Sequence, residues 1–544
     1  MEKNCKHCGK GFTVFPEDIK FYESISPTFN NEQFTIPAPT LCPECRRQRR
    51  MSFRNERSLY KRKCDLTGRE IISVYSNDKP FKVFQHKEWE SDAWDPMDYG
   101  REYDPTRSFF EQFSELQKLV PKKALHIPDN MINCDFCNYG GNSKDCYLCF
   151  APWESQNCLY SRVAFASQLD VDGEANLMCS YTYQCISCVN CYESFYCQFC
   201  ENCQNSSFLI DCSSCKNCFG CIGQKHKEYM FLNEQLNKEE YEEKTRGILA
   251  SAEKLAEFKE KFEEIKAKAI YKYARNTNTE NCTGDILRNC KNCFDSYDLF
   301  DQQDSRYCEL GGAQTTNVHD STIAGLNMVN GYEQIGSASC HDSAFMVYVT
   351  ADQDCYYCIS CRNCKNCFGC EGLKYKEYCI LNKQYSKDEY EELMTVIIKN
   401  MIESGEWGEF FPTAISPYAY NESLAYTYFP CTKEEAENEG WQWKEIEDNV
   451  RSISESEDLK ICLECNKHFK LIKQEKDFYQ KYSISTPQKC PNCRYIERVQ
   501  SMPLMQFWNR QCMNADCQNT FQTSYAPERL ETVYCEKCYL EAVY

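Results

Sequence analysis

Residues 179–221 read CSYTYQCISCVNCYESFYCQFCENCQNSSFLIDCSSCKNCFGC, and every cysteine in them falls on one phase of a three-residue stride. The same phase extends back through Cys158, Cys149, Cys146 and Cys137 to Cys134, sixteen cysteines in all. A period of three fits neither an α-helix at 3.6 nor a flat strand at 2. It fits short turns of chain that bring each cysteine to an equivalent environment. A second period of twelve runs through it: Cys185, Cys188 and Cys191 return as Cys197, Cys200 and Cys203, and Ser143, Ser155 and Ser167 follow the same spacing. The device reappears from Cys340 and Cys355 through Cys358, Cys361, Cys364, Cys367 and Cys370 to Cys379. These periods predict stacked β-solenoid turns.

The stack is duplicated. Residues 212–243, CSSCKNCFGCIGQKHKEYMFLNEQLNKEEYEE, align without gaps on residues 361–392, CRNCKNCFGCEGLKYKEYCILNKQYSKDEYEE. Each copy ends in YxxLNxQ and then a helix start: Asn237 with Glu240 and Ser386 with Glu389 read as capping boxes. Leu255, Phe258, Phe262, Ile265 and Ala269 form one apolar stripe. That helix is expected to pack along the stack or against a second chain. Asparagine precedes many cysteines, as at Asn133, Asn190, Asn292 and Asn366, and stacked amides can bond along a column.

The two ends are built alike. Cys5-x-x-Cys8 with Cys42-x-x-Cys45, and Cys462-x-x-Cys465 with Cys490-x-x-Cys493, are paired knuckles that aim four thiolates at one tetrahedral metal. The C-terminal copy has nine fewer residues between its knuckles. A third site combines Cys512, Cys517, Cys535 and Cys538; its N-terminal counterpart keeps only Cys64, so that fold is expected to persist without metal, with His86 as the one substitute ligand to consider. About three structural zinc ions follow.

Between Cys42 and Lys63 the chain carries Arg46, Arg47, Arg49, Arg50, Arg54, Arg57, Lys61, Arg62 and Lys63 against Glu44 and Glu56, in a protein of net charge −19. Two readings compete. Arginine can grip phosphate while Phe53 and Tyr60 stack on bases, which makes these nine residues candidate contacts for nucleic acid or a ribonucleoprotein. Alternatively they pair with acidic groups of this chain or of a protein partner.

The domain plan is a zinc ribbon with its basic segment over 1–63, a degenerate ribbon and connector over 64–130, a Cys-rich solenoid half over 131–235, a helix over 236–275, a second half over 280–385, a helix over 386–404, an acidic and aromatic connector over 405–458, a zinc ribbon over 459–511 and a last one over 512–544. The fold class is mainly β with helices. No apolar run is long enough to span a bilayer and no apolar h-region opens the chain, so no membrane and a cytoplasmic setting are expected. There, dense cysteine reads as thiol or metal ligand before disulfide. The central cysteines keep three readings: small buried side chains, a thiolate metal or redox store, or linked turns.

No phosphate-binding glycine loop or nucleophile elbow is present. His319-Asp320-Ser321 and His341-Asp342-Ser343 repeat a tripeptide and are expected at equivalent turn positions. Function is expected to be that of a non-enzymatic zinc-binding scaffold. A metal-handling or thiol-redox protein working through the central columns is the alternative, and a protein-interaction scaffold without nucleic acid the next.

CKHCGKGF, FYESISPTF, TLCPECRRQRRMSFRNERSLYKRKCDLTGREI, the CKNCFGC pair and SYAPERLETVYCEKCYLEAVY resemble an uncharacterised bacterial family of Cys-rich proteins. The resemblance implies a zinc ribbon at each end and a cysteine-repeat centre. It implies no activity.

Overall fold

The computed structural model of the protein describes residues 1–128, 130–445, 459–502 and 505–543. The acidic SISESED end of the connector lies outside the described residues. Strands and helices are mixed and the sheets are small, the largest holding seven strands. Two compact units form. One gathers Met1–Leu125, Asn276–Glu445 and Met505–Phe507; the other gathers His126–Arg275 with the described residues of Ile446–Leu504 and Trp508–Tyr544. The N-terminal ribbon therefore belongs with the second Cys-rich segment, and the C-terminal ribbons with the first.

In the second unit, parallel bridges join each residue to the one twelve further on: Ile132, Lys144, Gln156, Gln168, Ser180, Tyr192, Gln204, Lys216 and Glu228 form one continuous ladder. Every third residue from Asn133 to Leu232 has a positive φ. The chain advances in triplets: a left-handed residue, a small residue pointing inward, then a residue on the ladder. Asparagine adopts the left-handed region more readily than most residues, which gives the asparagines before the cysteines a backbone reason. They also stack: Asn133 donates to Asp145 Oδ1 at 3.0 Å, and Asn292 to Asp304 Oδ1 at 2.7 Å.

The ladder uses two of each triplet's three N–H groups. The bridging N–H donates to an inward residue's carbonyl one turn on, as Asp135 does to Cys146, and the left-handed N–H donates one turn back, as Asp145 does to Ile132. The inward N–H points into the interior, where an orphan would be costly. There it finds the inward side chain of the preceding turn. Ser155 N donates to Ser143 Oγ at 3.1 Å, Cys149 N to Cys137 Sγ at 3.4 Å, and Cys218 N to Ser206 Oγ at 3.1 Å. The inward group also donates: Cys149 Sγ reaches the carbonyls of Tyr147 at 3.5 Å and Cys158 at 3.2 Å. A thiol or hydroxyl is small enough for the column and is both donor and acceptor.

The first unit carries the same ladder with altered turn lengths. Glu280 pairs with Lys291 across eleven residues, Arg306 with His319 and Thr316 with Val329 across thirteen, and Val329 with His341 across twelve again. These lengths place His319 and His341 in different columns: His319 aligns with Tyr332 and Ala344, whereas His341 aligns with Val329 and Gln353. The two tripeptides are therefore not equivalent turn positions.

One column of each ladder is closed by an asparagine. Asn382 Oδ1 accepts from Glu371 N and its Nδ2 donates to Glu371 O, both at 2.8 Å; Asn233 does the same to Ile222 at 2.9 and 3.3 Å. The amide thus takes the place of one more ladder residue, which is what the LN of YxxLNxQ supplies. The capping boxes follow at Asn237 and Ser386. The stretch 386–404 holds one helix, Lys387–Ser404. The stretch 236–275 holds two, Lys238–Thr245 and Ala252–Lys268, separated at Gly247, whose φ is +73°. Leu255, Phe258 and Phe262 are buried against Phe208, Phe219 and Phe231 of the same unit.

Candidate metal centres

Three groups of four cysteines converge, each with its ligand atoms within 4.8 Å of one another: Cys5, Cys8, Cys42 and Cys45; Cys462, Cys465, Cys490 and Cys493; Cys512, Cys517, Cys535 and Cys538. Every one of the twelve expected ligands is in a cluster. Among the described residues no other group of this kind occurs.

The first pair in each cluster sits on a hairpin turn. Glu2–Asn4 pairs with Gly11–Thr13, Cys5 N donates to Lys10 O, and Gly9 closes the knuckle at φ +72° while donating to Cys5 O. Leu459–Ile461 pairs with His468–Lys470 in the same way, with Asn466 at φ +56° in the place of the glycine. The second pair opens a helix. Cys42 caps Pro43–Met51 and Cys490 caps Pro491–Ser501; in each, proline fills the first helical position, where no N–H is needed. The last cluster is borne by the Trp508–Gln511 and Thr520–Thr523 hairpin and by the start of the Glu536–Val543 helix.

Sulfur separations of 3.7 Å (Cys8 to Cys42), 3.8 Å (Cys465 to Cys490) and 3.9 Å (Cys517 to Cys535) run across the knuckles. A tetrahedral ion bound by sulfur at about 2.3 Å needs an edge of about 3.8 Å. One sulfur in each cluster is drawn toward thiolate. Cys42 falls to about 5, mainly because the Cys45 thiol donates to it, against the cost of burial. Burial also opposes ionisation of Cys462 and Cys535, yet the N–H groups of Cys490, Cys465 and Glu464 bring the first to about 6, and that of Cys538 helps bring the second to about 7. His7 lies within 3.4 Å of Cys45 Sγ through Nδ1 and within 2.7 Å of Glu439 through Nε2. This outer partner was not singled out from sequence, although its place inside the Cys5–Cys8 knuckle was a signal.

Cys64 sits on the counterpart that keeps a single cysteine. The Tyr60–Lys63 and Glu70–Ser73 hairpin persists, Gly68 closes it at φ +72°, and Gln85 N reaches Cys64 Sγ at 3.5 Å, as Cys535 N reaches Cys512 Sγ at 3.3 Å. His86 opens the short His86–Glu90 helix and joins no ligand group.

The basic stretch does not stand together as an exposed surface. Arg46 and Arg50 are buried, one residue and one further turn beyond Cys45. Arg46 grips Asp320 with two bonds of 2.8 and 2.9 Å; Arg50 reaches Asp320 at 3.1 Å and Glu333 at 2.9 Å. Arg49 spans Glu333 and Glu409 at 3.2 and 2.8 Å. Arg54 pairs with Glu56 at 2.6 Å and Arg62 with Asp65 at 2.9 Å. Arg47 donates to Met505 O and lies over Phe429, and Arg57 is half-buried. Only Lys61 and Lys63 of the nine are exposed. Phe53 is a core residue and Tyr60 donates to Glu422 at 2.6 Å, so neither ring is free to stack on a base. The second unit repeats the lock: Arg494 reaches Asp172 at 2.7 Å and Glu475 at 3.1 Å, and Arg498 reaches Asp172 at 3.0 Å. Helix residues that follow the metal ligands therefore bolt each ribbon to the ladder of its own unit.

The central cysteines outside these clusters are free and mostly buried. Burial pushes the Cys340 thiol up to about 12 and the Cys308 thiol higher still, whereas the thiol of Cys134 donates to Cys137 and brings it down to about 5. His319 is buried flat against Phe21, with ring centroids 3.6 Å apart, and burial lowers it to about 3. Its neighbour Asp320 is committed to the arginines, so the pair forms no catalytic dyad.

No family model matches the chain, and no curated protein matches it. Among solved structures, the crystal structure described as a "putative acetyltransferase from Desulfovibrio desulfuricans G20" is similar at 8% identity and a TM-score of 0.10. The match covers 43% of this chain and 60% of that one. At that score the likeness carries no argument about fold or chemistry. Among the described residues no helix is long and apolar enough to cross a membrane.

Proposed function

We propose that the protein is a non-enzymatic scaffold in which three structural zinc ions hold terminal ribbons against two β-solenoids. The observation that carries this reading is the three all-cysteine clusters with sulfur edges of 3.7 to 3.9 Å. Four sulfur ligands leave no open position for substrate or water, which is the pattern of a structural ion, and an all-thiolate tetrahedron suits zinc. The solenoid reading is supported by the twelve-residue parallel register and the left-handed residue in every triplet.

The metal-store alternative asks the central thiols to become thiolates or metal ligands. Their place in the ladder argues against it, because the S–H is needed as a donor. The buried arginines favour an internal role for the basic segment over a nucleic-acid surface, and so favour the protein-interaction form of the scaffold. The test is elemental analysis of protein purified under reducing conditions, with thiols titrated in denaturant and chelator. About three zinc ions per chain and all 42 cysteines titrating as thiols is the expected result. Many more ions, or a deficit of thiols, would move the function into the columns.

A further inference from the structure

One difference between the two units lies in the loop between their knuckles. In the first unit, the long loop between the knuckles forms the hairpin Thr28–Phe29 with Glu32–Gln33. The hairpin is laid over the Lys387–Ser404 helix. Phe29 meets Tyr390 edge-on with centroids 6.0 Å apart, Asn30 donates to Thr395 at 3.4 Å, and Lys399 holds Glu32 at 2.8 Å. Tyr356, on the ladder beneath, packs toward Trp407.

The second unit keeps the seat. Tyr241 corresponds to Tyr390 in the gap-free match, and Tyr229 meets it at 5.8 Å as Tyr378 meets Tyr390 at 5.6 Å. Phe219 corresponds to Phe368. The hairpin is missing, because the loop between Cys465 and Cys490 is nine residues shorter, and residues 245–250 line part of the space instead. Ser207 stands where the first unit has Tyr356. A groove of about 430 Å3 results, walled by Phe219, Tyr241 and Tyr482 over Ser207. That volume lies within the ~300–1,000 Å3 usual for built binding sites. Its rim carries the half-buried carboxylate of Glu193.

We propose that this groove docks a partner polypeptide that presents an aromatic side chain beside a basic residue, entering as Phe29 enters the first unit. The aromatic ring packs on Tyr241 as Phe29 packs on Tyr390, and the basic group meets Glu193. This builds on the scaffold reading by giving the scaffold a cargo site.

The probe is a synthetic peptide of Pro27–Ile36 carrying Glu32→Lys, titrated into the full-length, metal-loaded protein by calorimetry. Saturable binding is expected, weakened about tenfold or more when Phe29 of the peptide is replaced by Ala, as for a buried aromatic anchor. Tyr241→Ala in the protein, which removes the ring that Tyr390 offers Phe29 in the first unit, should weaken binding about tenfold. Because that variant alters a buried position, Glu193→Lys at the rim is the second check. It should weaken binding severalfold with metal content and circular dichroism unchanged. No binding at millimolar peptide, or equal binding to both variants, overturns the proposal. So does N-acetylphenylalanine amide binding as tightly as the peptide, which would make the groove a small-molecule pocket. Protein that lacks three metal ions yet binds the peptide would defeat the zinc reading and leave this one standing; loaded protein that ignores the peptide does the reverse.

Discussion

Arg46 and Arg494 each stand one residue beyond the last cysteine of a cluster, and each spends its guanidinium on a buried aspartate, Asp320 or Asp172. Removing one partner of such a pair leaves an uncompensated buried charge, which costs about 3–5 kcal/mol. Arg46→Ala is therefore expected to lower stability by about that amount in urea titrations, with the metal count retained. Arg46→Lys should recover only part of it, since an ammonium cannot make the two parallel bonds. His319 gives a pH dependence at the same scale. Its folded pKa, about 3, lies below the 6.5 of a free histidine, so the unfolded chain takes up a proton that the folded one refuses. Stability from this residue is full above pH 7 and declines as pH falls from 6.5 toward 3. By pH 5 the loss is about 2 kcal/mol. The difference in urea midpoint between pH 7 and pH 5 should shrink in His319→Phe; an unchanged difference would remove His319 from the account. All twelve clustered cysteines were legible from spacing, because a knuckle is a local object. The fate of the arginines was not, because a run of positive charge reads alike whether it meets water or an aspartate some 270 residues away.

The element that most constrains this protein is the inward column. Serine replaces cysteine there at Ser143, Ser155 and Ser167, and both donate and accept between turns. Cys149→Ser is accordingly expected to cost under ~1 kcal/mol, while Cys149→Val removes the donor, orphans a carbonyl contact and overfills the column, at about 2–3 kcal/mol. Thermal midpoints of the two variants decide this. Equal losses would mean that the thiol acts by size alone. The three-residue stride was plain in the sequence. Its change of phase between Cys308 and Cys340 was not, because turns of thirteen residues shift the inward position without breaking the ladder. The continuous apolar stripe implies one helix over 236–275, but Gly247 in the left-handed region ends the first helix before the stripe begins.

At the scale of the whole molecule, sequence neighbours are not partners. The ribbon that begins the chain shares a unit with residues 276–445, and the ribbons that end it share a unit with residues 126–275. Contacts so distant in sequence carry a large closure cost and slow folding. A fragment of residues 1–275 contains a ribbon and a stack, yet each lacks its own partner. It is expected to show no cooperative unfolding transition alone, and to gain one when mixed and refolded with residues 276–544. A sharp transition in the isolated fragment would mean that each half folds without the other. Sequence revealed the duplication but not this crossing, since an internal match says which segments are alike and nothing about which ones touch.

The asparagines that close one column of each ladder, Asn233 and Asn382, have a consequence beyond the fold. A column of identical parallel turns is in principle a growing polymer, able to add the next turn from any copy that offers one. The amide satisfies the N–H and C=O of Ile222 or Glu371 with a group that offers no further edge, so it terminates that column. Along that column a further copy finds no open edge on which to add its own first turn.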